Sequence, residues 1–324
     1  MKVIKIRINE AVGHVLIHNQ AGPDGRRVLR KGTVLTPEDG ETLLSLGQTD
    51  VYVGVLDEDD IHEDQAARRL GDLLAAAGLT TSNAATGRVN LIAETRGLFT
   101  VDVEGLLAFN DRPGITLATL PNNTPVQPKK VLGTIKIIPY SVPQAELKAA
   151  EAVVRERCPL AAIKPFTVNQ AVLITTGSEA ARDKVAGSFT GPLRERLAEF
   201  GAELVDGPYV AEDEQAISQA IQAALDGEVE MILIAGETSI MDTDDITPRA
   251  IKAVGGEIVH HGVPVEPGNL FMLAYHGNIP IVGAPGCARS KSYNVIDMVL
   301  PRLAAGERLT RSDLVQLGHG GYLK

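Results

Sequence analysis

The sequence has no tryptophan, six tyrosines, six phenylalanines and only two cysteines among its 324 residues. Aromatics at 4% offer no stacked platform for bases, and no basic stretch with interleaved aromatics offsets a formal charge of −10. Nucleic acid is therefore excluded as a partner. Cys158 and Cys287 lie far apart in no metal-like spacing, which rules out a disulfide framework and suits a reducing compartment. No run approaches the ~18 apolar residues of a membrane span, and Met1 leads into the alternating strand KVIKIRI rather than an apolar leader. The expectation is a cytoplasmic protein without membrane partners, long enough for two or three domains.

What is present divides near Lys164. The first sixty residues read as mainly extended, VIKIRI and GHVLIH being short strands. Thr36 followed by Pro37 predicts a short helix through Leu43, Leu44 and Leu46, stopped at Gly47 and followed by the strand VYVGVL. The acidic run DEDDIHED is expected to face water and open a helix over about 63–77, with His62, Glu63 and Asp64 as a capping first turn rather than a metal site. Two short strands with a turn at Arg96-Gly97 and a helical turn from Val103 to Phe109 follow. Prolines at 113, 121, 125, 128, 139 and 143 then confine strands to short lengths and edges. A linker helix over about 144–158 closes this β-rich α+β region, taken as residues 1–164.

From residue 165 to 324 strands and helices alternate, which argues for a mainly parallel sheet covered on both faces, a three-layer α/β domain. QAVLITTG is a strand, residues 178–200 a helix in two pieces, AELVDGPYV a strand, and EDEQAISQAIQAALDG a helix. Met231 to Ala235 form a buried strand ending at Gly236. LFMLAY and IPIVGA flank a Gly277-Asn278 hairpin turn. CARSKSYNVIDMVLPRLAAG is a closing helix and TRSDLVQLGHGGYLK a tail.

Three strand-end loops share one design. Gly177, Gly236 and Gly286 let the backbone approach a ligand. Thr175, Thr176, Ser178, Thr238, Ser239 and Ser290 supply hydroxyls, and Arg289 and Lys291 positive charge. Such loops lie where open α/β sheets bind ligands, and helix N-termini there offer free N–H groups to anions. Each contact in a first turn contributes roughly 0.3–1 kcal/mol, so several together could hold a phosphate. Asp242, Asp244 and Asp245 repel one another unless a cation or protons offset them. As an alternative they form a solvated turn with Thr247 as N-cap and Pro248 at the first helical position. Asp213 opens the helix DEQAISQAI, and Cys287 stands near a helix start that could lower its thiol pKa.

These loops resemble those of the molybdopterin-binding family. Thr175-Thr176-Gly177-Ser178-Glu179 looks like its Thr-Gly-x-Glu strand end, and Gly236-Glu237-Thr238-Ser239 with Asp245-Ile246-Thr247-Pro248 like its glycine-rich loop, acid and Thr-Pro. Asp213-Glu214-Gln215-Ala216-Ile217 matches a helix start of the family's adenylyltransferases, Pro285-Gly286-Cys287-Ala288 its Pro-Gly turn, and KGTVLTPEDGETLLSLGQTDVYV a stretch of its molybdotransferases. The resemblance implies a domain of molybdopterin-binding type in a homo-oligomer. It implies binding of molybdopterin or its adenylylated form, with Mg²⁺, and molybdate and ATP as further substrates, for molybdate insertion or nucleotidyl transfer. Asp213 and Asp245 would be catalytic, Asp242, Asp244 and Asp245 would hold the metal, and residues 175–179, 236–239 and 285–288 would cradle the substrate. Departures are Glu237 for the loop's second glycine, Cys287-Ala288 for Asn-Pro, Asp244 for an arginine, and no Asp-Ser-x-x-Met-Asp-Gly segment. They keep open a non-catalytic molybdopterin carrier or insertion partner, or a general nucleotide- or phosphate-binding α/β protein.

Overall fold

The computed structural model describes residues 1–323 and divides them into two compact units. The first comprises Met1–Thr95, Phe99–Asn122 and Gln127–Ile163, and the second Arg96–Leu98, Asn123–Val126 and Lys164 onward.

In the first unit β1 (Lys2–Arg7), β2 (Val15–Leu16) and β3 (Asp50–Val55) form an antiparallel sheet in the order β1-β3-β2. Helix α1 (Pro37–Ser45) starts as expected at Thr36, whose side chain and that of Asp39 cap each other's main chain. Leu43 of α1 joins Ile8, Leu16, Leu35, Val51 and Val53 in a small core. Helix α2 (Glu63–Leu74) buries Ala66, Ala67, Leu70, Gly71 and Leu74, the spacing of one helix face. At Gly71 a Cβ would come within 2.9 Å of Val89 Cγ1, so this helix can lie so close only with glycine there. His62 caps α2 by accepting the Asp64 N–H at 3.2 Å, the capping role expected of this turn. The acidic run is not all solvated, however. Residues Asp60–His62 form a short strand paired with Ser141–Pro143, and the Asp60 carboxylate is 1% exposed, 2.7 Å from the Met1 amino group. A second antiparallel sheet contains β4 (Leu79–Thr81), β5 (Arg88–Ala93), β6 (Ile115–Thr119) and β7 (Val131–Ile137) in the order β6-β7-β5-β4. Helices α3 (Val103–Asn110) and α4 (Gln144–Glu156) complete the unit.

The second unit is built on one six-stranded sheet. Its strands are β8 (Gln170–Thr176), β9 (Glu203–Val210), β10 (Met231–Gly236), β11 (Glu257–His261), β12 (Met272–His276) and β13 (Ile279–Gly283), in the order β9-β8-β10-β13-β12-β11. The first four in that order run parallel, and β12 and β11 are antiparallel additions through the Gly277-Asn278 hairpin. Alternation sorts side chains between two cores. Leu173, Met231, Leu233 and Ala235 pack with α5 (Arg182–Phe200) and α8 (Val295–Ala304). Ile174, Ile232 and Ile234 pack with α6 (Glu214–Leu225) and α7 (Ile246–Ala253). The result is a three-layer, mainly parallel α/β fold.

The helical stretch after β8 divides at Arg182, into a 3₁₀ turn at Glu179–Ala181 and one helix over Arg182–Phe200 that runs unbroken through Pro192. Three expected boundaries differ. Asp245, not Thr247, caps α7, because its carboxylate reaches the Ile246 N–H at 2.7 Å. The closing helix is interrupted: a 3₁₀ turn at Gly286–Arg289 is followed by an extended stretch and then α8. Fully buried Asn294 caps α8, and Arg196 fixes the stretch by donating to the Ser290 carbonyl at 2.9 Å and to Asp297 at 2.8 Å. The expected tail contains a further helix, α9 (Arg311–Gln316).

Candidate functional site

From β8 the chain crosses to β9 on one side of it and later to β10 on the other, so the sheet order reverses at the carboxyl ends of β8 and β10. Loops diverge there and leave a crevice. A cleft at this rim is lined by Thr176, Gly236, Thr238, Ser239, Asp245 and Thr247, together with Glu212, Ile240 and Ala284. Period-two alternation turns Thr176 into this cleft, while buried Thr175 faces the opposite side of the sheet beside Arg182 and Tyr209. Gly236 is where backbone and side chains crowd: a Cβ there would meet Thr176 Oγ1 at 2.8 Å, the Thr238 carbonyl at 2.9 Å and Glu212 Oε1 at 3.1 Å.

The loops are tied together by hydrogen bonds across strand ends. The Glu237 N–H donates to the Thr176 carbonyl at 2.8 Å, and the Ser178 N–H and hydroxyl both donate to Glu237 Oε2 at 2.8 Å. Those Ser178 bonds hold the Glu237 carboxyl below its usual range. Glu212 Oε1 accepts from the Thr238 N–H at 3.1 Å and its hydroxyl at 2.7 Å. Tyr209 donates its phenol to the Ser178 carbonyl at 2.7 Å, and the Arg182 guanidinium lies over its ring. Arg182 also pairs with exposed Glu179 at 2.7 Å.

The Pro285–Ala288 turn divides its residues. Arg289 behind it donates to the Gly236 carbonyl at 3.2 Å and stacks on Phe189, which brings this loop against the end of β10. Gly286 is exposed, Ala288 is fully buried, and Cys287 packs against the core. Burial pushes the Cys287 thiol up to about 11, so it is no thiolate at neutral pH.

The aspartates do not converge. Asp213 caps α6 through the Gln215 and Ala216 N–H groups, both at 3.0 Å. Asp245 accepts from Met241 N–H at 3.0 Å as well as from Ile246, and the Met241 bond is the main reason its carboxyl is held low. Asp242 accepts from the Asp244 N–H at 2.8 Å, and Asp244 pairs with Lys252 at 3.2 Å. Among the described residues no three His, Cys, Asp or Glu side chains are grouped to hold a metal. Only Asp245 of the expected acids lines the cleft. Sequence reasoning passed over Glu212 and Tyr209. Their signal was position, since both stand at or just after the carboxyl end of β9, next to the strand where the order reverses.

Sheet order, covering helices and rim cleft together define a doubly wound α/β domain with a cleft at its topological switch point. Residues 172–305, within the second unit, match the family described as probable molybdopterin binding domain. Residues 5–55 match a domain of unknown function. Among curated proteins none matches the chain. Among solved structures, the chain resembles a molybdenum cofactor biosynthesis protein from Pyrococcus furiosus at 13% identity and a TM-score of 0.26. That match covers 97% of this chain and spans 65% of the other. A molybdopterin biosynthesis protein from Pyrococcus horikosii is 14% identical over 94% of this chain and 75% of that one, with a TM-score of 0.33. A putative molybdenum cofactor biosynthesis protein from Corynebacterium diphtheriae is 18% identical over 46% of this chain and 99% of its own, with a TM-score of 0.33.

Proposed function

We propose that the rim cleft of the second unit binds molybdopterin or its adenylylated form in molybdenum cofactor biosynthesis. The observation that carries this reading is the meeting of Thr176, Gly236, Thr238, Ser239 and Asp245 around one cleft, inside the stretch that matches the molybdopterin-binding family. Thr176 and Ser239 offer hydroxyls to the cleft, and Arg289, which donates to the Gly236 carbonyl at 3.2 Å, brings a guanidinium to the same strand end. In this reading residues 165–324 are the binding domain and 1–164 an accessory region, in a cytoplasmic homo-oligomer.

The acids do not fit a resident Mg²⁺. Glu212, Glu237 and Asp245 each commit an oxygen to main-chain donors, and Asp213 is a helix cap outside the cleft lining. The chain's own residues therefore bind and orient the ligand, and no step is assigned to a protein-held cation. A magnesium ion would enter with ligand phosphates, which need only one or two carboxylates from a protein.

Calorimetric titration of molybdopterin into the full chain tests this reading. Thr176→Val keeps the shape and removes one hydroxyl, and is expected to weaken binding by about tenfold. Absence of molybdopterin binding by the wild type, or binding that Thr176→Val leaves unchanged, would reject the site. The second reading, a transferase acting on molybdopterin with molybdate, ATP and Mg²⁺, is favoured by ionised Asp245 at the cleft wall. It predicts turnover that Asp245→Asn abolishes, since asparagine still caps α7 but brings no charge. Binding without turnover leaves a carrier or insertion partner.

A further inference from the structure

Two rim carboxylates sit on hydrogen-bond donors rather than on cations. In both cases one carboxylate oxygen takes the N–H and the hydroxyl of one residue in a neighbouring strand-end loop: Glu237 on Ser178 at 2.8 and 2.8 Å, and Glu212 on Thr238 at 3.1 and 2.7 Å. An amide and a hydroxyl aimed at one point are what a single phosphate oxygen would need. Here the chain fills that point itself. At the end of β10, Arg289 is held by the Gly236 carbonyl and by stacking on Phe189, yet its buried Nε has no hydrogen-bond partner among the described residues. A buried guanidinium nitrogen left without a partner at the end of β10 is an independent sign that an anion belongs at this rim.

We infer that Glu237 is a specificity-determining residue. Its carboxylate stands in for a ligand oxygen on Ser178, so a phosphate-bearing ligand binds only by displacing it, with Arg289 receiving the anion. The inference rests on the reading of this rim as a site for a phosphorylated ligand. Small free anions must compete with a carboxylate already in place and repel it as they approach, so they are turned away. A larger ligand has additional contacts to offset the displacement. The fraction of molecules with Glu237 swung out sets the apparent affinity for any anion at Ser178. Gly177 keeps this arrangement tight, because a Cβ there would meet Tyr209 Oη at 2.5 Å and Glu237 Cβ at 2.9 Å.

The test is calorimetric titration of inorganic pyrophosphate into the full chain, without divalent cations, for the wild type, Glu237→Gly and Glu237→Gln. Glu237→Gly should bind pyrophosphate about tenfold more tightly or better. Glu237→Gln should fall between, since its amide oxygen can still accept from Ser178 but carries no charge. Adding Arg289→Gln to Glu237→Gly should remove the gain. Thermal melts of each variant check that exposed Glu237 and half-buried Arg289 can be replaced with the fold intact. Unchanged or weaker pyrophosphate binding in Glu237→Gly overturns the inference. So does wild-type binding that Mg²⁺ strengthens and Glu237→Gly loses, which would make Glu237 a cation ligand. Pyrophosphate contains no pterin, so the two readings fail separately. Tighter pyrophosphate binding without any molybdopterin binding sinks the functional reading alone, and the converse sinks the role of Glu237 alone.

Discussion

Gly236 ends β10 and Gly286 follows β13, and the two look equivalent in the sequence, yet the structure uses them differently. A methyl group at Gly236 would press on Thr176 Oγ1 and on the Thr238 carbonyl below 3.0 Å, while at Gly286 it would meet nothing within 4 Å. Forcing a side chain into such crowding costs typically 1–3 kcal/mol. Gly236→Ala is therefore expected to lower stability to urea by about that amount. Gly286→Ala is expected to stay within about 0.5 kcal/mol of wild type. Equal costs would contradict the crowded geometry at the end of β10. The same comparison shows what residue types can and cannot tell. The strand-end hydroxyls and glycines were visible as a set, but their partners were not. Nothing in the sequence says that Ser178 is answered by Glu237 or Thr238 by Glu212, because those pairs are separated by 59 and 26 residues.

Elements were legible where a local cap or a period decides them. Thr36-Pro37 with Asp39 fixes α1 within four residues, and the β-branched run Met231 to Ala235 reads as a strand buried on both faces. They were illegible where a distant partner decides. The stretch after Arg289 is extended because Arg196, about a hundred residues earlier, holds the carbonyls of Ser290 and Ser292 and the carboxylate of Asp297. The start of α7 lies at Asp245 because that carboxylate also takes Met241 N–H, a loop contact with no periodic signature. At α9 a capping box meets an ion pair. Thr310 and Asp313 cap each other, and Arg302 reaches Asp313 at 2.9 Å. Burial alone would raise the Asp313 carboxyl, but the Thr310 and Arg302 hydrogen bonds outweigh it and bring it down to about 2 from 3.8. A carboxyl lowered on folding stabilises above its unfolded value and loses that contribution as pH falls through its folded one. Stability should thus decline from about pH 4 toward pH 2 as Asp313 protonates, by no more than about 2 kcal/mol from this group. Asp313→Asn should be less stable than wild type at pH 7, with the difference shrinking toward pH 2 in acid-titrated urea melts. A difference independent of pH would remove the ionic part of this account.

At the scale of the whole molecule, the alternation of strands and helices after residue 165 conveyed an α/β fold. The strand order, and so the position of the switch point, was not in the pattern, because it depends on which side of β8 each crossover takes. Once that order is set, every residue lining the rim cleft comes from the second unit, from Thr176 to Ala284. The first unit has a core of its own around Leu43, which is 0% exposed among Ile8, Leu16 and Val53. Removing most of such a side chain costs about 2–5 kcal/mol, from lost burial and the cavity left behind. Leu43→Ala is therefore expected to weaken the first unit by that amount in urea, followed by hydrogen exchange along α1 and β3. Under native conditions, ligand affinity at the rim should not change, since no cleft residue lies in the weakened core. A loss of affinity parallel to the loss of stability would show that the accessory region contributes to binding, and the site would then have to be redrawn to include it.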